Sequence, residues 1–207
     1  MSDKPRAESP FCAIVSRMRY IERWALMRSS RPENLSEHTL DVAMIAHMLC
    51  VIGNVRYGRA LDADRAAVIA LYHDASEIIT GDMPTPVKYK NDELRGAYKD
   101  VEREAEEELL ATLPEDLRPA FAEVFVEGDE PTDADEAYLL GLVKAADRLS
   151  AYLKCVEEEA AGNTEFRTAA ASTLARLEDL RASYPEVGDF MDEFLPAYGR
   201  TLDELLG

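Results

Sequence analysis

The chain has three histidines, few enough for each to be weighed on its own. His38 follows the loop-like segment RPENLSE and falls in the first turn of an expected helix, where its side chain looks toward whatever that loop encloses. His47 comes nine residues later, about 180° away around a helix turning roughly 100° per residue, so the two cannot share a site from one straight helix. His47 therefore reads as a packing or surface residue. His73 and Asp74 are adjacent near the end of the mostly apolar stretch AAVIALYHDASEII. Helical neighbours diverge by about 100°, yet both can reach an ion placed between them. Asp147 stands in AYLLGLVKAADRLSAYLKC on a stripe with Leu140, Val143 and Ala151. A carboxylate there is costly unless it pairs with a cation, caps a helix end or binds a metal. His38, His73, Asp74 and Asp147 together offer two imidazoles and two carboxylates. That mixture suits a divalent transition ion better than a hard calcium site or a thiolate site, with positions left open for water or substrate oxygen.

These residues must be positioned by helices, because the periodicity is helical almost throughout. Phe11, Ile14, Val15, Met18, Ile21 and Leu26 recur at three- and four-residue spacing, and Arg31-Pro32 closes that stretch. A second helix opens at Asn34 or Ser36, with Glu37 three residues after Asn34 as in a capping box, and runs to Gly53-Asn54. A third is expected from Asp62 or Asp64 through Ile79, which puts Glu77 one turn after His73 on the same face. GDMPTPVKYKND must be a shaped loop. Further helices are expected over Asp92–Thr112, Pro114–Val126, Asp133–Ala161, Thr164–Ser183 and Asp189–Leu206, with EGDEPTDAD a polar connection. The expected fold is all-α, one domain over 1–207, with a metal-site core at about 34–165 and acidic C-terminal helices over 164–207.

Composition narrows the function classes. The 207 residues carry a formal charge of -18, which argues against nucleic acid or an anionic membrane as partner. The excess is local: residues 1–100 hold 14 basic and 14 acidic side chains, and the whole surplus lies beyond them. Within the first half, Arg17, Arg19, Arg23, Arg28 and Arg31 form a basic segment that by charge alone reads as a solvated face. No run of 18 uninterrupted apolar residues suggests a membrane span, and MSDKPRAESP lacks the apolar core of a signal peptide. Cys12, Cys50 and Cys155 are odd in number and far apart, so reduced, packed thiols in a cytoplasmic protein are expected.

His38, the His73-Asp74 doublet and Asp147 resemble the H…HD…D pattern of the HD-domain metal-dependent phosphohydrolases. Longer stretches are similar to the bacterial 5'-deoxynucleotidase branch, the YfbR-like proteins: ERWALMR, ENLSEHTL, LYHDASEIITGDMPTPVKY and AYLKCVEE. The nineteen residues around HDASE are the most specific of these. The resemblance implies a dimeric HD-type helical bundle that removes phosphate from deoxyribonucleoside 5'-monophosphates. It implies one divalent ion, such as cobalt, manganese or zinc, on His38, His73, Asp74 and Asp147. It further implies substrate contacts from Arg23, Trp24, Asp82, Met83, Pro84 and Thr85, beside the ligands His38, Asp74 and Asp147. Arg23 would orient the phosphate, and Trp24 would lie against the sugar and disfavour a 2'-hydroxyl.

Read from the residues alone, Trp24 is a core aromatic, the prolines beside Met83 and Thr85 stop a helix, and Lys88 is an exposed lysine. The expected reaction is attack of a metal-activated water on phosphorus, with Glu77 handling the proton and Asp82 either sharing that work or binding the 3'-hydroxyl. Two alternatives stay open: an HD-type phosphohydrolase of a triphosphate or signalling nucleotide, and a non-catalytic metal- or nucleotide-binding module.

Overall fold

The computed structural model describes residues 8–88, 90–125, 131 and 133–207. Within them the chain runs α1 (Phe11–Val15), a 3-10 turn (Ser16–Tyr20), α2 (Leu35–Tyr57), α3 (Ala63–Tyr72), α4 (Glu77–Thr80), α5 (Thr85–Lys88), α6 (Asp92–Ala111) and α7 (Arg118–Ala122). It continues through α8 (Ala134–Ala160), a 3-10 turn (Thr164–Phe166), α9 (Arg167–Arg181), α10 (Pro185–Glu193), a 3-10 turn (Leu195–Ala197) and α11 (Leu202–Leu206). The described residues contain no strand; one isolated antiparallel bridge joins Glu22 and Asn34.

α2 is the central beam. Its start is set by a complete capping box, in which the Asn34 side chain accepts from the Glu37 backbone N–H and Glu37 returns the bond to Asn34 N–H, an arrangement worth about 1 kcal/mol. Gly58, at φ 66°, closes it in the left-handed conformation that glycine adopts without penalty. α2 packs on α3, α8 and α10. Alanines at the crossings (Ala43, Ala46, Ala66, Ala70, Ala145 and Ala146) bring the backbones close, and Leu49, Leu142 and Leu149 fill the remaining space. α2 is also long and apolar enough by composition to cross a membrane, with a mean hydropathy of 1.4, but most of that stretch is buried in the core of the bundle.

Two smaller clusters flank this core. Phe11, Ala75, Leu109, Leu113 and Phe125 pack with Tyr72 and Phe121 under the segment that follows α3; the Phe11 and Phe121 rings meet edge to face at 5.0 Å. Cys155, Phe166 and Ala170 pack with Trp24, Met27 and Tyr152 on the other flank.

Several expected elements differ. The first helix does not reach Leu26; after Tyr20 the chain turns into an irregular strap of bends and turns. The third expected helix breaks at Tyr72 and resumes at Glu77, so Glu77 and His73 do not share a regular helical face. The last expected helix is three short pieces, because Pro185 starts α10 early and Pro196 interrupts it. The proline-rich loop contains α5, and the helix expected from Pro114 shrinks to α7. Val126 and most of EGDEPTDAD lie outside the described residues. Cys50 and Cys155 are buried thiols, whereas Cys12 is exposed and not packed as expected.

Candidate metal centre

The capping box aims His38 inward from the first turn of α2, where its ring is fully buried. Nδ1 lies 3.1 Å from Ser150 Oγ and 3.5 Å from Glu33 Oε1, partners that hold the proton on that nitrogen and leave the Nε2 lone pair free. His73 is held in the same way. Between Tyr72 and Ile78 the backbone bonds tighten to a three-residue spacing, Ala75 to Tyr72 and Glu77 to Asp74, and His73 Nδ1 donates to the Ala70 carbonyl at 2.7 Å. Ala75, fully buried in the Phe11 cluster, anchors this turn from below.

Both Nε2 atoms are buried without a hydrogen-bond partner, and both face carboxylates. His38 Nε2 is 3.1 Å from Asp147 Oδ1 and 3.5 Å from Asp74 Oδ2, and His73 Nε2 is 3.2 Å from Asp74 Oδ2. One ligand atom from each of His38, His73 and Asp74 lies within 4.8 Å of the other two. Two orphaned imidazole nitrogens beside two carboxylates fit a divalent transition ion. Asp147 is less enclosed than its apolar stripe suggests, with its side chain 41% exposed where it borders a cavity of about 350 Å³ that also touches His73, Asp74, Lys88 and Lys144.

The electrostatics agree. Burial opposes a charged His73, yet Asp74 beside it and Asp147 beyond raise its pKa to about 10. Burial likewise opposes ionised Asp74 and Asp147, but His73, His38 and Arg23 hold Asp74 far below the usual carboxylate range, and the adjacent His38 and His73 rings lower Asp147. The centre therefore favours positive charge, and a cation binding His73 must displace a proton from that ring.

Arg23 and Trp24 lie on the strap after the first 3-10 turn, pinned to the α2 approach by Arg23 N–H to the Glu33 carbonyl at 2.9 Å and Leu35 N–H to the Ile21 carbonyl at 2.9 Å. Arg23 Nη1 is 3.3 Å from Asp74 Oδ2. Of the five arginines in the basic segment it alone turns inward; Arg17, Arg19, Arg28 and Arg31 are exposed. Trp24 is half-buried, its ring edge to face with Phe166 at 5.2 Å, and its backbone has φ 59°, a left-handed conformation costing a bulky residue about 1 kcal/mol or more.

Asp82 is half-buried, and burial, opposed by Arg23, leaves its pKa raised. Met83 and Pro84 are half-buried and Thr85 is exposed at the start of α5. Glu77 is buried, its Oε2 without a partner; burial, then the charges of Asp74 and Asp82, push its pKa up to about 9. His47 stands away from the centre and is half-exposed, as its spacing implied. Lys88, read as exposed, instead donates to Glu102 Oε1 at 2.6 Å and lies over the Tyr98 ring.

The sequence reading missed Glu33 and Ser150, the two groups behind His38. Glu33 belongs to ENLSEHTL, but nothing in its spacing reveals that its carboxylate meets residues from both strap and helix.

A family model described as "5'-deoxynucleotidase YfbR-like" matches residues 10–198. The chain belongs to the YfbR-like family. A protein named 5'-deoxynucleotidase YfbR from Escherichia coli is 48% identical to this YfbR-like chain over 198 residues, 96% of each sequence. An HD-domain phosphohydrolase from Listeria innocua has the same fold, with a TM-score of 0.76 at 23% identity, covering 90% of this chain and 86% of that one. A metal-dependent phosphohydrolase, so described by prediction, from Magnetospirillum magnetotacticum aligns at TM-score 0.58 and 22% identity over 87% of each chain. The all-α HD fold expected of the YfbR-like family is thus the fold observed.

Proposed function

We propose that this YfbR-like protein is a 5'-deoxynucleotidase, hydrolysing deoxyribonucleoside 5'-monophosphates to the deoxynucleoside and inorganic phosphate. The observation that carries the reading is the pair of orphaned imidazole nitrogens beside Asp74 and Asp147, with Arg23 against the same carboxylate; the Escherichia coli relative supports the substrate class. His38, His73, Asp74 and Asp147 would hold one divalent ion, with cobalt, manganese and zinc the candidates. When bound, it supplies Lewis acidity, which neutralises charge at a phosphate oxygen and lowers the pKa of water.

The chain's own residues do the rest. Arg23 is already drawn toward Asp74, and its planar guanidinium is shaped to take two phosphate oxygens. Trp24 forms a wall for the sugar, where a 2'-hydroxyl would meet the indole, and Asp82 with Met83, Pro84 and Thr85 borders the nucleoside. Burial, then the charges of Asp74 and Asp82, push the Glu77 pKa up to about 9, and Glu77 would hand its proton to the departing 5'-oxygen. The protein works in the cytoplasm as a homodimer, without nucleic acid or membrane. The dimer forms through the groove of about 550 Å³ along α2, α8 and the C-terminal segment, where Leu40 and Met44 are more than half exposed.

The deciding experiment measures inorganic phosphate released from matched ribo- and deoxyribonucleoside monophosphates with Co²⁺, Mn²⁺ or Zn²⁺ added. Release from the deoxy series, far slower from the ribo series, is expected. Release only from triphosphates, or from no nucleotide with any ion, would overturn the reading.

A further inference from the structure

We infer that Glu33 is the specificity-determining positioning residue of the site: its one carboxylate fixes both the sugar wall and the phosphate-orienting arginine. This rests on the proposed deoxynucleotidase activity. Glu33 Oε2 accepts the Trp24 indole N–H at 2.9 Å. Oε1 lies 3.5 Å from Arg23 Nε and 3.5 Å from His38 Nδ1. The Glu33 carbonyl accepts Arg23 N–H at 2.9 Å. Side chain and backbone of one residue therefore tie down both strap residues, and the carboxylate is only 12% exposed.

The need for such a tie follows from Trp24. Its left-handed backbone is strained, and a strained residue persists only when its surroundings over-determine it. Phe166 limits the ring from one side by an edge contact that does not fix its tilt; the directional hydrogen bond to Glu33 does. Excluding one hydroxyl is a task of ångström precision, so a wall free to tilt loses discrimination before it loses binding. The two oxygens divide the labour. Oε2 sets the indole and hence the choice between deoxyribose and ribose. Oε1, by its charge, sets Arg23, and hence the rate.

That division makes a test with separable arms. Glu33→Ala removes both tasks; Glu33→Gln keeps an oxygen acceptor for the indole but removes the charge. For Glu33→Ala the ratio of deoxyribo to ribo kcat/KM should fall at least ~10-fold, through gained ribonucleotide turnover as well as lost deoxyribonucleotide turnover. For Glu33→Gln the ratio should stay near wild type while kcat/KM for the deoxynucleotide falls ~10-fold or more. Trp24 is the only tryptophan, so emission and acrylamide quenching of the metal-free protein report on the wall directly. Both should change in the alanine variant and little in the glutamine variant. A wild-type selectivity ratio with unchanged emission in folded Glu33→Ala overturns the inference. If that variant does not fold, Glu33→Gln with wild-type kcat/KM overturns it. A wild-type protein that releases no phosphate sinks the parent activity instead, and unchanged Trp24 emission would then still overturn the role of Glu33.

Discussion

The loop that follows the strap depends on a buried ion pair whose loss can be priced. Lys154 and Glu158, one turn apart on α8, are 7% and 1% exposed and meet at 2.5 Å. Glu158 also accepts from Ser30 N–H at 2.8 Å, Arg31 N–H at 3.4 Å and Asn163 Nδ2 at 2.6 Å, while Lys154 donates to the Arg31 carbonyl at 2.6 Å. Removing one partner of a buried pair costs about 3–5 kcal/mol, because the other charge stays behind unpaired. In Glu158→Gln the amide oxygen can keep some of the loop bonds and Lys154 keeps Arg31, so the lower end, ~3 kcal/mol, applies. In a protein of this size that lowers Tm by about 6–12 °C at pH 7, measurable by calorimetry.

The pH dependence has a definite sign. Burial tends to raise the Glu158 pKa, but Lys154 and the N–H donors depress it from 4.5 to about 2. A depressed folded pKa contributes stability above the unfolded value, which is lost as pH falls. The gap between wild type and Glu158→Gln should therefore be full above pH 4.5 and shrink toward pH 2. Adding Lys154→Met to Glu158→Gln should recover part of the loss, since no charge is then stranded. A Tm change under ~2 °C at pH 7, or a gap that does not vary with acidification, would refute the reasoning.

Arg23→Ala should lower kcat/KM for the monophosphate about 10- to 150-fold, the loss of a charge-assisted hydrogen bond, while bound metal measured by elemental analysis stays unchanged. Asp147→Asn should weaken divalent-ion affinity in calorimetric titration; equal affinity removes Asp147 from the ligand set. Glu77→Gln should cut kcat about 10²–10⁴-fold with little change in metal content. Because the folded pKa of Glu77 is raised from 4.5 to about 9, wild type loses stability as pH rises between those values. The metal-free glutamine variant should therefore be the more stable protein at pH 8 in urea titrations, with its advantage vanishing near pH 4.5.

Local signals made half of this site legible. Asn34 and Glu37 announce a helix start, and that start determines where His38 points. The break after Tyr72 carries no such mark: HDASEII is made of ordinary helix residues, and the tightening comes from packing Ala75 into a cluster built by Phe11, Leu109 and Phe125, remote in sequence. Arg23 and Trp24 mislead for a related reason. Their apolar neighbours keep a helical period up to Leu26, but pairing with Glu33 to Leu35 and contact with Phe166 override the local preference. Lys88 looked solvated because its partner, Glu102, lies on a separate helix.

The proposed ligands rest on different foundations. His38 and Asp147 stand on the α2–α8 beam, whereas His73 and Asp74 stand on the turn that leaves α3, tied to the main core through Ala70 and to the small aromatic cluster of α1, α6 and α7 through Ala75. A cluster of that size can open by itself, as a jaw on a hinge, at a free energy well below global unfolding. A cation on all four side chains is a clasp between jaw and beam. Its binding energy would add to the cost of opening the jaw, so this turn is the part of the site expected to loosen first when the ion is stripped.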